Sequence, residues 1–445
     1  MSDKPRKLST EAYKGVRDFF PEDMAIEKAI FDIWRRVAES YGYQEYNASV
    51  LEPADLYRAK SGEEIVNEQT YTFTDRGDRE VTLRPEMTPT VARMVAARRR
   101  ELVFPLRWYS IPNLFRYEQP QRGRVREHWQ LNVDLFGVES TEAEIEVINM
   151  AYDITRAYGL EDNQFEIRLN NRRLMDYVTR EVFGLDEAGA HRLAKLIDKK
   201  EKMKPEIFEA SVLDVFSTDP ALRGRDETFL TLLNSRNFEE FTKHLPQTTS
   251  EHQGLVEIRQ VMAGLEKLGI TNVRFDQTLM RGFDYYTGTV FEVYDLNPAN
   301  RRSVFGGGRY DDLLSLFGNE KVPAVGFGAG DVIARDLMET YETLPRTNTV
   351  AELGLIISGA ENAPFALDFA QSLRTLGIRV ATDLSFKKVS DQISKAAKRN
   401  LPFIAVIGGT EVSSGQITIK RLSDGTEKSF DADQARTIAD YLKQI

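Results

Sequence analysis

The sequence contains no cysteine, which excludes disulfides, thiolate metal sites and cysteine nucleophiles and fits a reducing compartment. Only four histidines are present, too few for a His-rich metal cage. Long apolar runs are missing as well: no stretch approaches the roughly 20 residues that a membrane-crossing helix needs. The opening "MSDKPRKLST" is basic with no apolar segment behind it, so neither a secretory signal nor a membrane anchor is predicted, and the expected location is the cytoplasm. Internal repeats and low-complexity tracts are also absent. A net charge of −10 argues against a generally sticky nucleic-acid binder, although local basic clusters can still hold phosphate.

What is there is a globular composition, 41% hydrophobic and 29% charged, spread over 445 residues, more than one hydrophobic core usually covers. Two or three domains follow. The run "PEDMAIEKAIFDIWRRVAESY" (21–41) sets Ile26, Ile30, Ile33, Trp34 and Val37 at helical spacing with charges on the other face, which predicts a core helix. In "TYTFTDRGDREVTLRPE", Asp75-Arg76-Gly77-Asp78 separates two β-like runs and predicts a hairpin. A second strand pair is expected from "LRWYSIPNLFRYE" and "EHWQLNVDLFGV", with the basic loop "QPQRGRVR" projecting between them. The simplest sheet is antiparallel.

Residues 172–257 turn helical and charged, which predicts an insertion between sheet segments 1–171 and 258–345. After a linker around "TLPRTNTVAE", residues 349–445 alternate strand ("ELGLIIS", "IRVATDL", "FIAVIGG") and helix (about 364–376 and 389–399), a small α/β domain with a mostly parallel sheet.

The chemistry concentrates in four places. "FRYEQPQRGRVREHWQLNVD" holds Arg116, Glu118, Arg122, Arg124 and Arg126; guanidinium groups suit phosphate oxygens, while a solvated basic hairpin tip is the plainer alternative. Arg116 and Glu118 flank Tyr117 and should share one strand face, suited to a ligand with both a phosphate and a hydrogen-bond donor. In "TLRPEMTP", Glu86 offers either an acceptor for an ammonium group or a carboxylate at a helix N-terminus. "SVFGGGRYDDLL" allows close backbone approach to a ligand ahead of Arg309 and Tyr310, but lacks the patterns of a dinucleotide site or a nucleotide-binding phosphate loop. Lastly "MRGFDYYTGTVFEV" introduces an ordinary strand with Arg281, Gly282, Asp284 and two tyrosines, a polar cluster at a strand end.

These segments, in this order and together with "GVRDFFP" and "LRPEMTPTVARMV", resemble the class II aminoacyl-tRNA synthetases, and specifically the histidyl-tRNA synthetase family, over nearly the whole chain. "RGFDYYTGTVFEV" and "GGGRYDDLL" resemble its two histidine-specific signatures. The resemblance implies an α+β catalytic domain whose antiparallel sheet is flanked by helices, a helical insertion, a C-terminal α/β anticodon-binding domain, and a homodimer built partly around Pro53. It also implies that histidine and ATP, with Mg²⁺ and no metal held by the protein alone, give histidyl-adenylate, whose histidine passes to the 3′ end of tRNA(His).

By the same resemblance Arg281 and Arg116 are catalytic cations, and Glu86, Thr88, Gln130, Asp134, Tyr285, Tyr286 and Tyr310 form the histidine pocket. Arg116, Glu118, Arg124 and His128 would take ATP, and Gln121, Arg126, Lys387 and Lys388 would touch tRNA, although a solvated helix face also explains the lysines. Two positions depart from the commoner pattern: His128 stands where an adenine-stacking Phe is expected, and Ile333 where many class II enzymes have an arginine for the γ-phosphate. Arg335, two residues on, is about 200° around a helix and should face away. The rival expectation is a catalytically silent paralogue serving as a regulatory subunit in histidine biosynthesis. The intact "RGFDYY" and the roughly hundred residues of α/β domain weigh against it.

Overall fold

A proline in the first turn, two acidic residues beside it and apolar residues at helical spacing make Pro21–Ser40 a helix, α1, which ends ahead of Gly42 at φ +80°. The computed structural model describes residues 8–58, 69–121, 123–200, 203–280, 285–300, 303–318, 320–345 and 349–443. The chain divides into two compact units, Met1–Pro345 and Arg346–Ile445. Helix α1 buries Ile30, Trp34 and Val37, as its spacing predicts, with Ala38 beside them, while Ile26 and Ile33 are half-buried against the same core. It also buries Glu27, against the expectation that its charges face away, because Arg17 and Asp331 meet that carboxyl inside the fold.

Strand β1 (Gln44–Glu45) leads to a small antiparallel sheet of β2 (Leu51–Pro53), β3 (Tyr71–Thr74) and β4 (Glu80–Leu83), ordered β2-β4-β3. The β3–β4 turn forms at the predicted residues: the Asp75 carboxylate accepts from the Gly77 and Arg79 amides at 2.8 and 3.0 Å, and Asp78 adopts a left-handed φ of 57°. Pro85 cannot extend β4, and the chain turns into α2 (Thr88–Ala97).

The main sheet is built from β5 (Leu106–Ser110), β6 (Asn113–Phe115), β7 (Glu127–Phe136), then, after helix α3 (Glu142–Ala157), β8 (Phe165–Asn171). Among the described residues six α-helices follow: α4 (Arg172–Tyr177), α5 (Glu187–Asp198), α6 (Pro205–Ser217), α7 (Arg225–Leu233), α8 (Phe238–Lys243) and α9 (Gln253–Lys267). Residue 257 lies inside α9, which runs on into the sheet domain. Strands β9 (Val273–Phe275), β10 (Thr289–Asp295), β11 (Ser303–Arg309) and β12 (Ala324–Gly330) complete the sheet, and α10 (Asp331–Thr340) closes the unit. The order is β1-β5-β7-β12-β11-β10-β8-β9, with β6 on the end of β7. Pairing is antiparallel except at the edges, where β1–β5 and β8–β9 are parallel.

The two-residue period of β7 sorts the molecule into a core side and a site side. Leu131, Val133 and Leu135 point into the core formed with α1, α3 and α9, whereas His128, Gln130, Asn132 and Asp134 line a cavity on the other face. No helix among the described residues is long and apolar enough to cross a membrane.

The second unit contains β13 (Leu353–Ile357), α11 (Ala363–Thr375), β14 (Val380–Asp383), α12 (Val389–Lys398), β15 (Phe403–Ile407), β16 (Gln416–Arg421), β17 (Glu427–Asp431) and α13 (Ala435–Leu442). The predicted strand–helix alternation gives three parallel strands, β14-β13-β15, and two antiparallel strands extend the sheet. That pair escapes the sequence reading because β17 buries only Phe430 and β16 only Ile417 and Ile419, so the apolar signal is thin.

Candidate active site

The cavity, about 370 Å³, lies between β7, β12, β11 and β10, with α2 and the 116–125 loop contributing to its wall. Its depth comes from glycine. Gly326, Gly328 and Gly330 of β12 sit opposite Asp134, Asn132 and Gln130 of β7. A Cβ on Gly326 would come within 2.7 Å of Asp134 Oδ1, and one on Gly328 would strike the Gln130 amide. The triple glycine of β11 acts differently from the expectation: only Gly306 lines the cavity, and the close approach at Gly308 is to the neighbouring strand, where a Cβ would lie 2.7 Å from the Thr289 carbonyl. Arg309 points to the far side, paired with Glu144 through two contacts of 2.6 Å.

Asp134 ends one arm of the cavity. Its oxygens accept from the Tyr310 hydroxyl and, at 3.5 Å, from Tyr46, and burial pushes its carboxyl up to about 7. The rings of Tyr285 and Tyr286 are 4.9 Å apart, those of Tyr285 and Tyr310 5.8 Å, and the Tyr285 hydroxyl donates to Glu86 at 3.2 Å. Glu86 does not cap α2: the helix has no side-chain cap and no acidic residue in its first turn, so its carboxylate is given to the cavity instead. Thr88, at the first helical position, and Gln130 line the same wall.

At the other arm, Arg116 and Glu118 both reach the cavity, but not by strand alternation. Strand β6 ends at Phe115, and Arg116 to Glu118 form a tight bend closed by the Glu118 amide on the Arg116 carbonyl at 2.8 Å. Arg116 Nε donates to the Pro85 carbonyl at 2.9 Å, and no carboxylate pairs with it among the described residues. Arg124 lies 3.4 Å from Glu118, so two expected nucleotide ligands meet each other. His128 is half-buried on the cavity wall, where desolvation first and then the nearby Arg116 and Arg17 guanidiniums push its imidazole down to about 3, so that it is neutral at physiological pH. Ile333 lines this arm, while Arg335 turns to Asp23 (3.0 Å) and Glu339 (2.9 Å).

A family model described as histidyl-tRNA synthetase matches residues 15–330, and one described as an anticodon binding domain matches residues 353–440. The histidine–tRNA ligase of Leptospira biflexa serovar Patoc is 41% identical over 436 residues, 97% of this chain and 98% of that one. The chain belongs to the histidyl-tRNA synthetase family. Its activity is histidine–tRNA ligation, and histidine, ATP and tRNA are its partners. The histidine–tRNA ligase of Thermoplasma volcanium is 34% identical over 95% of this chain and 96% of its own. The histidyl-tRNA synthetase structure from Nostoc sp. PCC 7120 shares the fold at a TM-score of 0.80, 23% identity, and coverage of 98% of this chain and 100% of that one. A Bacillus halodurans C protein described as an ATP phosphoribosyltransferase regulatory subunit/histidyl-tRNA synthetase is similar at a TM-score of 0.74, 26% identity, and 91% and 99% coverage. The regulatory-paralogue alternative is the weaker one, because ligases match this chain along its length, anticodon-binding part included.

Eleven of the expected ligands share this one cavity: Glu86, Thr88, Arg116, Glu118, Arg124, His128, Gln130, Asp134, Tyr285, Tyr286 and Tyr310. Arg281, with Gly282 and Asp284, lies outside the described residues, as does Arg122. Arg126, expected at tRNA, is buried instead: it stacks on Tyr117 at 4.0 Å and donates to Tyr13 and the Lys14 carbonyl at 3.1 and 3.2 Å, clamping the N-terminal segment. Gln121 is exposed and bridges Arg124 through the loop backbone. Lys387 and Lys388 are exposed at the start of α12 in the second unit.

Sequence reasoning missed Asn132, Glu292, Phe305 and Asp331, all of which line the cavity. Asn132 was available from its two-residue spacing to Gln130 and Asp134. Asp331 carried no local signal: it is fully buried, takes the Trp129 amide at 3.0 Å and Arg17 at 2.5 Å, and its neighbour Glu27 is pushed up to about 8 by burial and the second carboxyl.

Proposed function

We propose that the two arms of the cavity divide the adenylation reaction, the Asp134–Tyr310 arm taking the imidazole and the Arg116 arm taking the phosphates. The carrying observation is the single cavity that joins a buried, raised-pKa carboxyl under tyrosines to an arginine anchored on Pro85. Histidine's ammonium and carboxylate share one carbon, so the ammonium ligand must stand near the α-phosphate. Glu86, next in chain to Pro85, meets that need, with Thr88 and Gln130 beside it. An imidazole presents one donor and one acceptor; a pocket that pairs both leaves buried groups unsatisfied when another amino acid enters, worth about 10⁴–10⁵ in discrimination.

The histidine carboxylate attacks the α-phosphorus and pyrophosphate leaves; a hydroxyl at the 3′ end of tRNA then attacks the adenylate carbonyl, the acyl–phosphate bond breaks, AMP departs and the hydroxyl proton is lost. Negative charge grows on the α-phosphate in the first step, and Arg116 with Arg281 stabilises it more in the transition state than in the ground state. Arg124 and Glu118 serve the nucleotide tail. Mg²⁺ would neutralise the β- and γ-phosphates, and Glu118, whose buried Oε2 is met by the Arg124 guanidinium at 3.4 Å, is a carboxylate fit for one coordination position once that arginine turns to phosphate. The second unit would hold the anticodon region, Lys387 and Lys388 meeting phosphates. The enzyme would work in the cytoplasm as a homodimer joined partly through the β2-β4-β3 sheet, which carries half-exposed Leu51 and Phe73.

The test is amino-acid-dependent ATP–pyrophosphate exchange with each of the twenty amino acids, repeated on Arg281→Ala. Histidine alone should stimulate exchange, and the variant should lose orders of magnitude in kcat with histidine KM little changed. Stimulation by another amino acid, or near-normal turnover in the variant, would sink the assignment.

A further inference from the structure

Behind the histidine pocket, on the reverse side of β10 and β11, lies a polar network that the reaction itself does not use. The chain leaves the sheet at Asn171, runs through the insertion helices and returns through Glu257 of α9. Those two ends are tied together: Asn171 Nδ2 donates to Glu257 Oε2 at 2.7 Å and Arg173 Nη1 to Glu257 Oε1 at 2.6 Å. Arg173 then uses its other nitrogen, Nη2, to reach Asp311 at 2.7 Å. Asp311 in turn accepts from the Thr287 hydroxyl at 3.1 Å, and its amide donates back to that hydroxyl at 3.0 Å.

Thr287 and Asp311 are not pocket residues, but each directly follows one: Tyr286 and Tyr310 line the cavity. Neighbouring residues at a strand end point to opposite sides, so a side chain gripped behind the sheet sets the backbone step that aims the tyrosine in front. The other hold on Asp311 is Arg309 at 3.3 Å, itself locked to Glu144 in a pair with both partners about 97% buried, rigid and costly to disturb. Arg173 is the member that reaches outward, still 30% exposed, and its side chain joins Glu257 at the root of the insertion to Asp311 on the pocket side, beside the shorter ties of Asn171 to Thr289 at 3.3 Å and of the Arg172 amide to the Gly288 carbonyl at 2.9 Å.

We propose that Arg173 is a positioning residue for the histidine site, coupling the seat of the helical insertion to the aim of Tyr286 and Tyr310. The proposal rests on the assignment of those tyrosines to histidine. A guanidinium that gives one nitrogen to each of two carboxylates on separate elements fixes their spacing as no single contact does. Displacement of reacting groups by about 1 Å from a remote change can cost on the order of 100-fold, so a looser bridge should be read in histidine use rather than in folding. Because Arg173 is partly exposed, its loss should leave the fold intact.

The experiment measures KM for histidine and for ATP in pyrophosphate exchange with the full-length enzyme and its Arg173→Met, Arg173→Lys, Asp311→Asn and Tyr310→Phe variants, each with a thermal midpoint. Arg173→Met should raise the histidine KM about 10- to 100-fold with the ATP KM within twofold, and Arg173→Lys, which can keep one of the two contacts, should recover part of the loss. A histidine KM within twofold of wild type in Arg173→Met, or equal rises for histidine and ATP, overturns the proposal. Should Arg173→Met fail to fold, Asp311→Asn decides by the same criteria. If Tyr310→Phe leaves the histidine KM unchanged, the pocket assignment fails; if Tyr310→Phe raises it and Arg173→Met does not, only the coupling fails.

Discussion

Replacing Asp134 by Asn keeps the shape of the side chain and removes its charge. The carboxyl is buried and already held by Tyr310 and Tyr46, so its only new partner on binding would be the imidazole N–H. A hydrogen bond to a charged acceptor contributes about 1.5–3 kcal/mol and one to a neutral acceptor about 0.5–1.5, so the variant should lose about 1–2 kcal/mol, or roughly 5- to 30-fold in kcat/KM for histidine at pH 8. The pH profile carries the sharper reading. The free enzyme's Asp134 titrates near 7 and free histidine's imidazole near 6.5. If the productive pair is carboxylate with neutral imidazole, log(kcat/KM) should fall below pH 6 with a slope of about 2 in the wild type and about 1 in Asp134→Asn. Stability gives an independent sign. The folded-state pKa lies above the ordinary value of 3.8, so the group's contribution is full below that value and is lost as pH rises through 7. At pH 8 the ligand-free variant should therefore melt higher than wild type. Exchange kinetics from pH 5.5 to 8.5, with melting curves, would refute the reasoning if both proteins kept the same slope or if kcat/KM at pH 8 stayed within twofold.

Arg124→Ala should raise the ATP KM in exchange about tenfold, whereas Arg335→Ala, which breaks only partly exposed pairs with Asp23 and Glu339, should leave it within twofold; the reverse pattern would show that the wrong arginine has been assigned. Removal of residues 349–445, which lie within the separate second unit, should cripple tRNA charging while much of the exchange remains. Equal loss of both in a fragment of unchanged oligomeric state would contradict that division of labour.

Much of this was legible in the sequence because periodicity is local. Trp34 and its helical neighbours, the turn at Asp75, and the alternation of β7 each follow from residues a few positions apart, and the last of these delivers Gln130 and Asp134 to one face. What failed depends on partners far along the chain. Glu27 belongs on the wet face of α1 by spacing, yet Asp331, more than three hundred residues on, and Arg17 bring it inside. Arg126 carried the same basic-loop signal as Arg124, and only the approach of Tyr13 and Gly15, whose carbonyl takes the Arg126 amide at 2.6 Å, turns it into a clamp. The glycines of β11 looked like space for a ligand because composition cannot distinguish room for a substrate from room for an adjacent strand.

The two departures from the commoner pattern, His128 and Ile333, make one physical sense together. Both line the nucleotide arm, and neither carries charge there, since burial and two nearby guanidiniums keep His128 neutral. On the proposed division of the cavity, an arm without a helix-borne cation among the described residues would leave the triphosphate to Arg116, fixed on Pro85, and to Arg124, carried by the loop. Arg124 is not idle in the ligand-free protein, because it rests 3.4 Å from Glu118, with its own side chain 56% exposed. A pair so placed contributes at most about 1 kcal/mol, so exchanging the carboxylate for a phosphate costs little and gains a charge-assisted contact. The same exchange releases Glu118 just as the nucleotide arrives, when a carboxylate beside a metal-bearing triphosphate becomes useful. On that account the loop ion pair stores both nucleotide ligands in register, and removing Glu118 should weaken ATP binding even though its charge alone would repel it.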